Sequence, residues 1–446
     1  MPQPSSEHAT SKTVAAGNDN LKPSHARYWV IVFAIALAVI TYIDRVCISK
    51  AAPLIQRDLV LTKEQMGYAF GAFGWAYALF EIPGGWLGDL IGPRKVLMRV
   101  VLMWSVFTAA TGWAWNIFSL VVCRFCFGIG EAGCFPNLTK AFTIWLPASE
   151  RVRAQGMMWL SARWGGAFTP LLVAWVISLV SWRWTFGVFG VIGLIWAIFF
   201  YRWFKDHPRD HPGVNTAERT LLAESEKNAL AHGPIPWGKF ISSRTVWLLW
   251  AQYFFLSYGW YFYITWMPTY LNETFPHLSE MQRTLLNCIP LFFGGLGSIF
   301  CGLISTPLAR WLGSVATTRR CCGSIGLFGA AIMLIVSIQF KNPLLAVLSV
   351  GMASFCNDLA MPGSWGACMD VGGRCAGSLS GSMNMLGNAG GALAPMVVPF
   401  VLKAAHGNWN ANFWMFAAAY VLAALCWLFI DPVTPLEEQT GQPSGQ

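Results

Sequence analysis

The sequence predicts an all-α polytopic membrane protein: twelve transmembrane helices in two six-helix bundles. Three observations lead there. Only 11% of the 446 residues are charged, 55% are hydrophobic and the mean hydropathy is +0.48. Soluble domains run near a quarter charged, so this chain could not cover a water-facing surface of its size. Twelve apolar runs recur along the sequence, and a bilayer core takes about 20 apolar residues per helix. A polar, charged stretch divides the runs six and six. The same composition excludes a soluble enzyme, a nucleic-acid-binding module and a secreted disulfide scaffold.

Residues 1–26 form a polar tail with no apolar stretch before a cleavage site, so we read no signal peptide. The first bundle, 27–204, holds spans at 29–49, 64–88, 96–115, 117–139, 154–178 and 184–204. A linker at 205–244, rich in His, Pro and charge, is able to carry a surface helix. The second bundle, 245–430, holds spans at 245–271, 282–305, 321–339, 343–366, 376–402 and 410–430, and a short tail follows at 431–446. Thr62 with Gln65 and Ser279 with Gln282 are S/T-x-x-Q capping boxes opening spans two and eight. Their equivalent positions point to a duplicated six-helix unit.

The net charge of +9 is spread singly through short loops, without Lys/Arg blocks. Arg94, Lys95, Arg151, Arg153, Arg310, Arg319, Arg320 and Arg374 fall in even-to-odd loops, and the odd-to-even loops hold fewer cations. By the positive-inside rule both termini are cytoplasmic. Most of the 12 Cys lie inside apolar runs, where Cys acts as a small apolar residue, and we expect neither a disulfide framework nor a metal site.

A charge at the bilayer centre costs about 2.5–3.5 kcal/mol on insertion scales. Asp44, Arg45, Glu81, Arg124, Glu131, Arg163 and Asp358 all fall inside spans and are functional candidates for that reason. At 1.5 Å per residue, Arg124 and Arg163 sit near the midplane, with Glu131 two turns from Arg124 on the same helix face. Three arginines exceed what Asp44 and Glu131 neutralise once either acid takes a proton, and the surplus asks for an anion. Arg suits a carboxylate through its planar two-donor fork. No His lies in any span, so a proton relay must use carboxylates, and Asp44 and Glu131 are the candidates. Glu81 and Asp358 have the alternative of capping a break or bonding a neighbouring helix.

Gly128 to Gly133 reads G-I-G-E-A-G, a match to G-x-G-x-x-G, but it is mid-span, whereas a dinucleotide fingerprint needs a preceding strand. We read these glycines as a surface for close helix approach. No G-x-x-x-x-G-K-[ST] motif, nucleophile constellation or cofactor motif is present, so neither an enzyme nor an ATP-driven pump is expected, and no cofactor.

The loop after span two, G-W-L-G-D-L-I-G-P-R-K from Gly85 to Lys95, resembles the G-x-x-x-D-R-x-G-R-R signature of the major facilitator superfamily. Within it the chain is similar to the anion:cation symporters, which include bacterial sugar-acid permeases. The similarity lies in T-Y-I-D-R (Thr41 to Arg45), W-A-Y-A-L-F-E-I-P-G-G (Trp75 to Gly85), R-F-C-F-G-I-G-E-A-G-C-F-P-N (Arg124 to Asn137), Y-G-W-Y-F-Y-I-T-W-M-P-T-Y-L (Tyr258 to Leu271) and N-M-L-G-N (Asn384 to Asn388). The resemblance implies proton coupling at Asp44 and Glu131, and a substrate carboxylate held by Arg45, Tyr77 and Arg124. Arg163 stands where relatives have an amide, which suggests a more cationic site.

Together these readings describe a proton-coupled symporter of a small organic carboxylate, a sugar acid such as an aldonate or hexuronate, working by alternating access. A carrier of aromatic or dicarboxylate anions, and a passive anion facilitator, remain as alternatives. Protonation of Glu131 would free Arg124 to bind the carboxylate. Tyr258, Tyr261 and Trp266 would form the opposite wall, unless they are packing. Asn384 and Asn388 would bond substrate hydroxyls or else a neighbouring helix. Asp89, Arg94 and Arg151 would latch the inner gate. The expected partners are the anion, protons and lipid, with no nucleic acid. The expected form is a multi-pass monomer in the plasma membrane, the inner membrane of a bacterium.

Overall fold

The computed structural model describes residues 22–229 and 235–436. The tail before residue 22, linker residues 230–234 and the tail after 436 lie outside the described residues. The first bundle contains α1 (Ala26–Leu59), α2 (Lys63–Ile91), α3 (Pro93–Gly112), α4 (Ile117–Glu131), α5 (Cys134–Trp145), α6 (Ala148–Leu179) and α7 (Trp182–Trp203). The linker carries α8 (Thr216–Ala229) and α9 (Trp237–Ser242). The second bundle contains α10 (Arg244–Thr265), α11 (Met267–Thr274), α12 (Glu280–Leu312), α13 (Val315–Ser337), α14 (Pro343–Asp358), α15 (Met361–Gly372), α16 (Ala376–Ala404) and α17 (Asn410–Phe429).

Helices long and apolar enough to cross a membrane occupy nine stretches of the described residues. One of these, Pro343–Ala404, is 62 residues long and makes two crossings. The less apolar α2 and α10 complete the twelve. Large apolar side chains such as Leu171, Trp175, Phe199, Ile325 and Phe400 are exposed on the outside, where lipid solvates them. Both expected capping boxes form: Thr62 Oγ1 accepts from Gln65 N and Ser279 Oγ from Gln282 N, while each Gln side chain accepts from the cap backbone.

Three spans expected to be continuous are broken. Span four divides at Ala132 and Gly133 into α4 and α5, span seven at Trp266 into α10 and α11, and span ten at Leu359 and Ala360 into α14 and α15. Gly133 adopts φ +83°, and a Cβ there would stand 2.6 Å from the Gly84 Cα. A left-handed turn pressed against another backbone admits only glycine. The Gly128 to Gly133 motif therefore breaks the helix as well as offering a packing surface. Pro268 and Pro362 restart α11 and α15, consistent with proline at the opening of a helix.

The bundles meet along α2 against α16 and α6 against α12. A Cβ on Gly85 would lie 2.2 Å from the Gly377 carbonyl oxygen, so the α2 and α16 backbones touch there. Beside this contact Asp89 accepts from Gly377 N at 3.0 Å, Ser378 N at 2.6 Å and Ser378 Oγ at 2.7 Å. An anion at a helix N-terminus is stabilised by the peptide dipoles. Lys140 of α5 completes the cluster 3.1 Å from Asp89, and also donates to the Arg374 carbonyl. Arg151 of α6 pairs with Asp370 of α15 at 2.6 Å, and Arg319 of α13 takes the other Asp370 oxygen.

Asp89 and Arg151 thus join the bundles. Arg94 does not: its backbone N–H donates to Asp206, and its guanidinium lies 4.2 Å over Tyr201 and donates to the Tyr201 carbonyl. The reason is local, since Pro93 opens α3 immediately after Gly92 and turns the following Arg back onto the end of α7. At the other end of α2, a Cβ on Gly67, Gly71 or Gly74 would meet nothing within 4 Å. The α2 and α16 backbones therefore close on one another at the linker end, and beyond Tyr77 α2 has open space beside these three glycines.

Two outcomes follow from this seal. Gly85→Val should prevent close approach at the linker end and slow transport at least about tenfold, since misplacements of about 1 Å cost enzymes up to about a hundredfold; a monodisperse variant transporting at the parental rate would refute the contact. Lys140→Met should leave Asp89 buried without its cation and lower stability by about 3 kcal/mol, read as a fall in the thermal midpoint in detergent.

Candidate functional site

Between the bundles, residues from α1, α2, α5, α6, α10, α15 and α16 surround a cavity of about 40 Å³, room for one to a few waters. Tyr42, Arg45, Tyr77, Arg163, Tyr261, Asn384 and Asn388 supply its polar groups. Phe135, Trp159, Trp260, Leu256 and Met361 supply aromatic and aliphatic wall.

Each polar group is held by a specific partner. Glu131 is the last residue of α4, at the break, with its side chain fully buried. Arg45 of α1 donates both Nε, at 2.8 Å, and a terminal nitrogen to Glu131 Oε1. The Arg45 guanidinium also lies 4.5 Å over the Tyr77 ring. Asn384 of α16 donates to Glu81 at 2.9 Å and to the Tyr77 hydroxyl at 3.2 Å, tying α16 to α2. Asn388 accepts from the Tyr261 hydroxyl at 3.1 Å and donates to the Asn384 carbonyl at 2.8 Å.

Arg163 of α6 forms a two-armed pair with Asp358 of α14, Nε to Oδ2 at 2.8 Å and a terminal nitrogen to Oδ1 at 2.9 Å. It stacks 4.0 Å over Trp260. Asp358, read from sequence as a helix cap or neighbour bond, is thus the partner of an arginine from the other bundle.

The remaining charges lie behind this cavity. Asp44 is buried, with no hydrogen-bond partner for either carboxylate oxygen among the described residues. Arg124, 2% exposed, lies 4.4 Å over the Phe127 ring and 5.1 Å over Phe73. Asp44 is within its electrostatic reach.

Four expectations change. Glu131 is paired with Arg45, not Arg124: two helical turns, about 10 Å of axis, separate Arg124 from Glu131, whereas α1 delivers Arg45 directly to the carboxylate. Arg124 does not line the cavity. The three arginines are not in surplus, because Asp44, Glu81, Glu131 and Asp358 are all buried with them. Positive charge becomes available only when an acid is neutralised.

The fourth correction concerns span seven. Tyr261 faces the cavity, but the Tyr258 hydroxyl lies 3.2 Å from the Met415 sulfur with its ring against Phe416. Three residues advance a helix by about 300°, which is enough to turn Tyr258 towards α17. Trp266 sits at the break and packs on Trp409.

The sequence reading passed over Tyr42, Trp260 and Lys140. Lys140 carried a signal, a lone lysine in an apolar run, but ending span four at 139 placed it in a loop; α5 continues to Trp145. Asp370, the acid between Arg151 and Arg319, was missed for the same reason, since α15 runs beyond the expected end of span ten.

The chain is 34% identical over 416 residues to a probable sulfoacetate transporter of Cupriavidus necator, covering 92% of this chain and 95% of that one. It is 30% identical to a D-galactonate transporter of Escherichia coli, covering 86% and 90%, and 28% identical to a hexuronate transporter of Bacillus subtilis, covering 93% and 96%. Among solved structures, a proton:xylose symporter bound to 6-bromo-6-deoxy-D-glucose superposes with a TM-score of 0.76 at 16% identity over 93% of this chain and 98% of that one. The transporter FucP in the outward conformation superposes with 0.69 at 15% identity, covering 91% and 99%. With its twelve spans in two bundles and a family match from residue 34 to 395, the chain belongs to the Major Facilitator Superfamily and is a secondary active transporter, not an enzyme.

Proposed function

We propose that the protein is a proton-coupled symporter that carries small organic carboxylates into a bacterial cell, as a monomer in the inner membrane with both termini cytoplasmic. The observation that supports this most is the Arg45–Glu131 pair at the cavity wall. While Glu131 is ionised, Arg45 is occupied and the cavity offers no net positive charge. A proton on Glu131 removes the competitor and leaves the Arg45 fork for a carboxylate, which accepts two parallel hydrogen bonds from it. Binding of the anion and of the proton therefore favour one another.

Asp44, next to Arg45 on α1 and without a hydrogen-bond partner among the described residues, would pass this same proton on to Glu131 and set the strength of Arg124 behind the cavity. Asn384, Asn388 and Tyr261 offer hydrogen bonds to hydroxyl or acid oxygens. Relatives named for galactarate, glucarate, galactonate, hexuronate and sulfoacetate agree with an acid of this kind. Because α2 and α16 meet at the linker end and α2 has open space beyond Tyr77, a cytoplasmic linker makes this the outward-facing arrangement. Asp89 with Lys140 and Arg151 with Asp370 then form the inner gate.

Glu131→Gln should abolish proton-driven accumulation in proteoliposomes while sparing counterflow exchange, because the amide leaves Arg45 permanently available. Accumulation at the parental level would overturn the coupling role.

A further inference from the structure

The Arg163–Asp358 pair is not used by this mechanism. Arg163 borders the same cavity as Arg45, and Tyr42 stands between them: its hydroxyl is 3.5 Å from Arg163 and its ring centroid 5.6 Å from the Arg45 guanidinium carbon. The cavity thus has two guanidiniums, each occupied by an internal carboxylate. The two carboxylates are counterparts. Glu131 is the last residue of α4, before the break in span four, and Asp358 is the last residue of α14, before the break in span ten. A helix C-terminus is a poor place for an anion, so each depends on its arginine.

The pairs differ in where they lie. Arg45 and Glu131 belong to one bundle, whereas Arg163 and Asp358 belong to different bundles and hold them together at the cavity. Both side chains of the latter pair are at most 1% exposed. Parting a buried two-armed ion pair leaves two unpaired charges, at a cost that movement of the bundles does not itself return. Another anion on Arg163, together with a proton on Asp358, removes that cost.

We propose that Arg163–Asp358 is a lock exchanged by the substrate, and that the carrier selects short-chain dianions with an acid group at each end, one on Arg45 and the other on Arg163. This deepens, and rests on, the transport reading above. As the second acid group takes Arg163, Asp358 accepts a proton from the outer water; inside, the dianion leaves, Asp358 gives its proton to the inner water and the pair closes again. With a proton also on Glu131, two protons accompany two negative charges and the cycle moves no net charge. A monoanion on Arg45 leaves the lock shut. The titratable groups facing Asp358 are Arg163 from α6, Tyr253 and Tyr263 from α10 and Tyr420 from α17, and Tyr42 from α1 faces Arg163. Phenols are uncharged near neutral pH, so Arg163 is the charge that matters.

The test uses the full chain in proteoliposomes with two matched pairs of acids, galactarate against galactonate and sulfoacetate against glycolate, each pair differing in one terminal acid group. The wild-type protein should prefer the dianion of each pair at least about tenfold, since a site built around a polar group rejects the analogue lacking it. Two protons should enter per dianion, with uptake indifferent to an imposed membrane potential. In the charge-neutral double variant Arg163→Gln/Asp358→Asn, the preference should fall below twofold and the proton count to one. Equal affinities within each wild-type pair, one proton per dianion in the wild type, or a full preference kept by the double variant would each overturn the lock. If the double variant does not reconstitute, the wild-type proton count decides. Saturable uptake of none of the four acids would overturn the transport reading itself, whereas uptake without discrimination overturns the lock alone.

Discussion

Hydrocarbon does not solvate charge, and most of this molecule's organisation follows from that. Three arginines and four acids are carried into the membrane interior, each costing several kcal/mol unless another group compensates it. The compensation is unevenly arranged. Arg45 and Arg163 hold carboxylates through paired hydrogen bonds at the cavity. Asp44 and Arg124 face each other electrostatically without a hydrogen bond, and the aromatic faces of Phe73 and Phe127 serve Arg124 in place of an anion. A proton landing on Glu131 or Asp358 therefore decides which arginine is free. In so dry a site that is a large change in affinity for an anion.

The second consequence concerns the backbone. A membrane helix is interrupted only where protein rather than lipid can meet its freed carbonyls and amides. The breaks at Gly133 and Ala360 are both buried, and each directly follows the helix that ends on an ionisable acid. Discontinuity, acid and cavity coincide in both halves. The duplication hinted at by the paired capping boxes thus extends to the chemistry, with one difference: the first-half acid finds its arginine within its own bundle, and the second-half acid finds one across the interface. Closing the linker end demands the opposite property, backbones close enough to touch, and Gly85 against Gly377 provides it. Asp89 meanwhile fastens the start of α16 to both α2 and the buried Lys140.

Spans, their number and the charges at mid-depth were legible in the sequence because hydropathy is local: a Glu in an apolar run is costly whatever lies next to it. The partners were not. Glu131 and Arg124 share a helix face, which made them look like a pair, yet the guanidinium that reaches Glu131 comes from α1. Tyr258 and Tyr261 share a stripe, and about 60° of rotation sends one to α17 and the other to the cavity. Lys140 and Asp370 lay just past the expected ends of spans four and ten because the second segments of those broken helices extend further than an unbroken span would.

The sequence by itself determined that this chain lies in lipid, crosses it in twelve helices in two related halves, and carries acids and arginines at mid-depth, since each of these depends on the transfer cost of residues taken one at a time. The tertiary structure decided which arginine each carboxylate occupies, where the spans break and which end is sealed. Those depend on the rotation and approach of helices distant in sequence, set by contacts such as Gly84 on Gly133 that no single span contains.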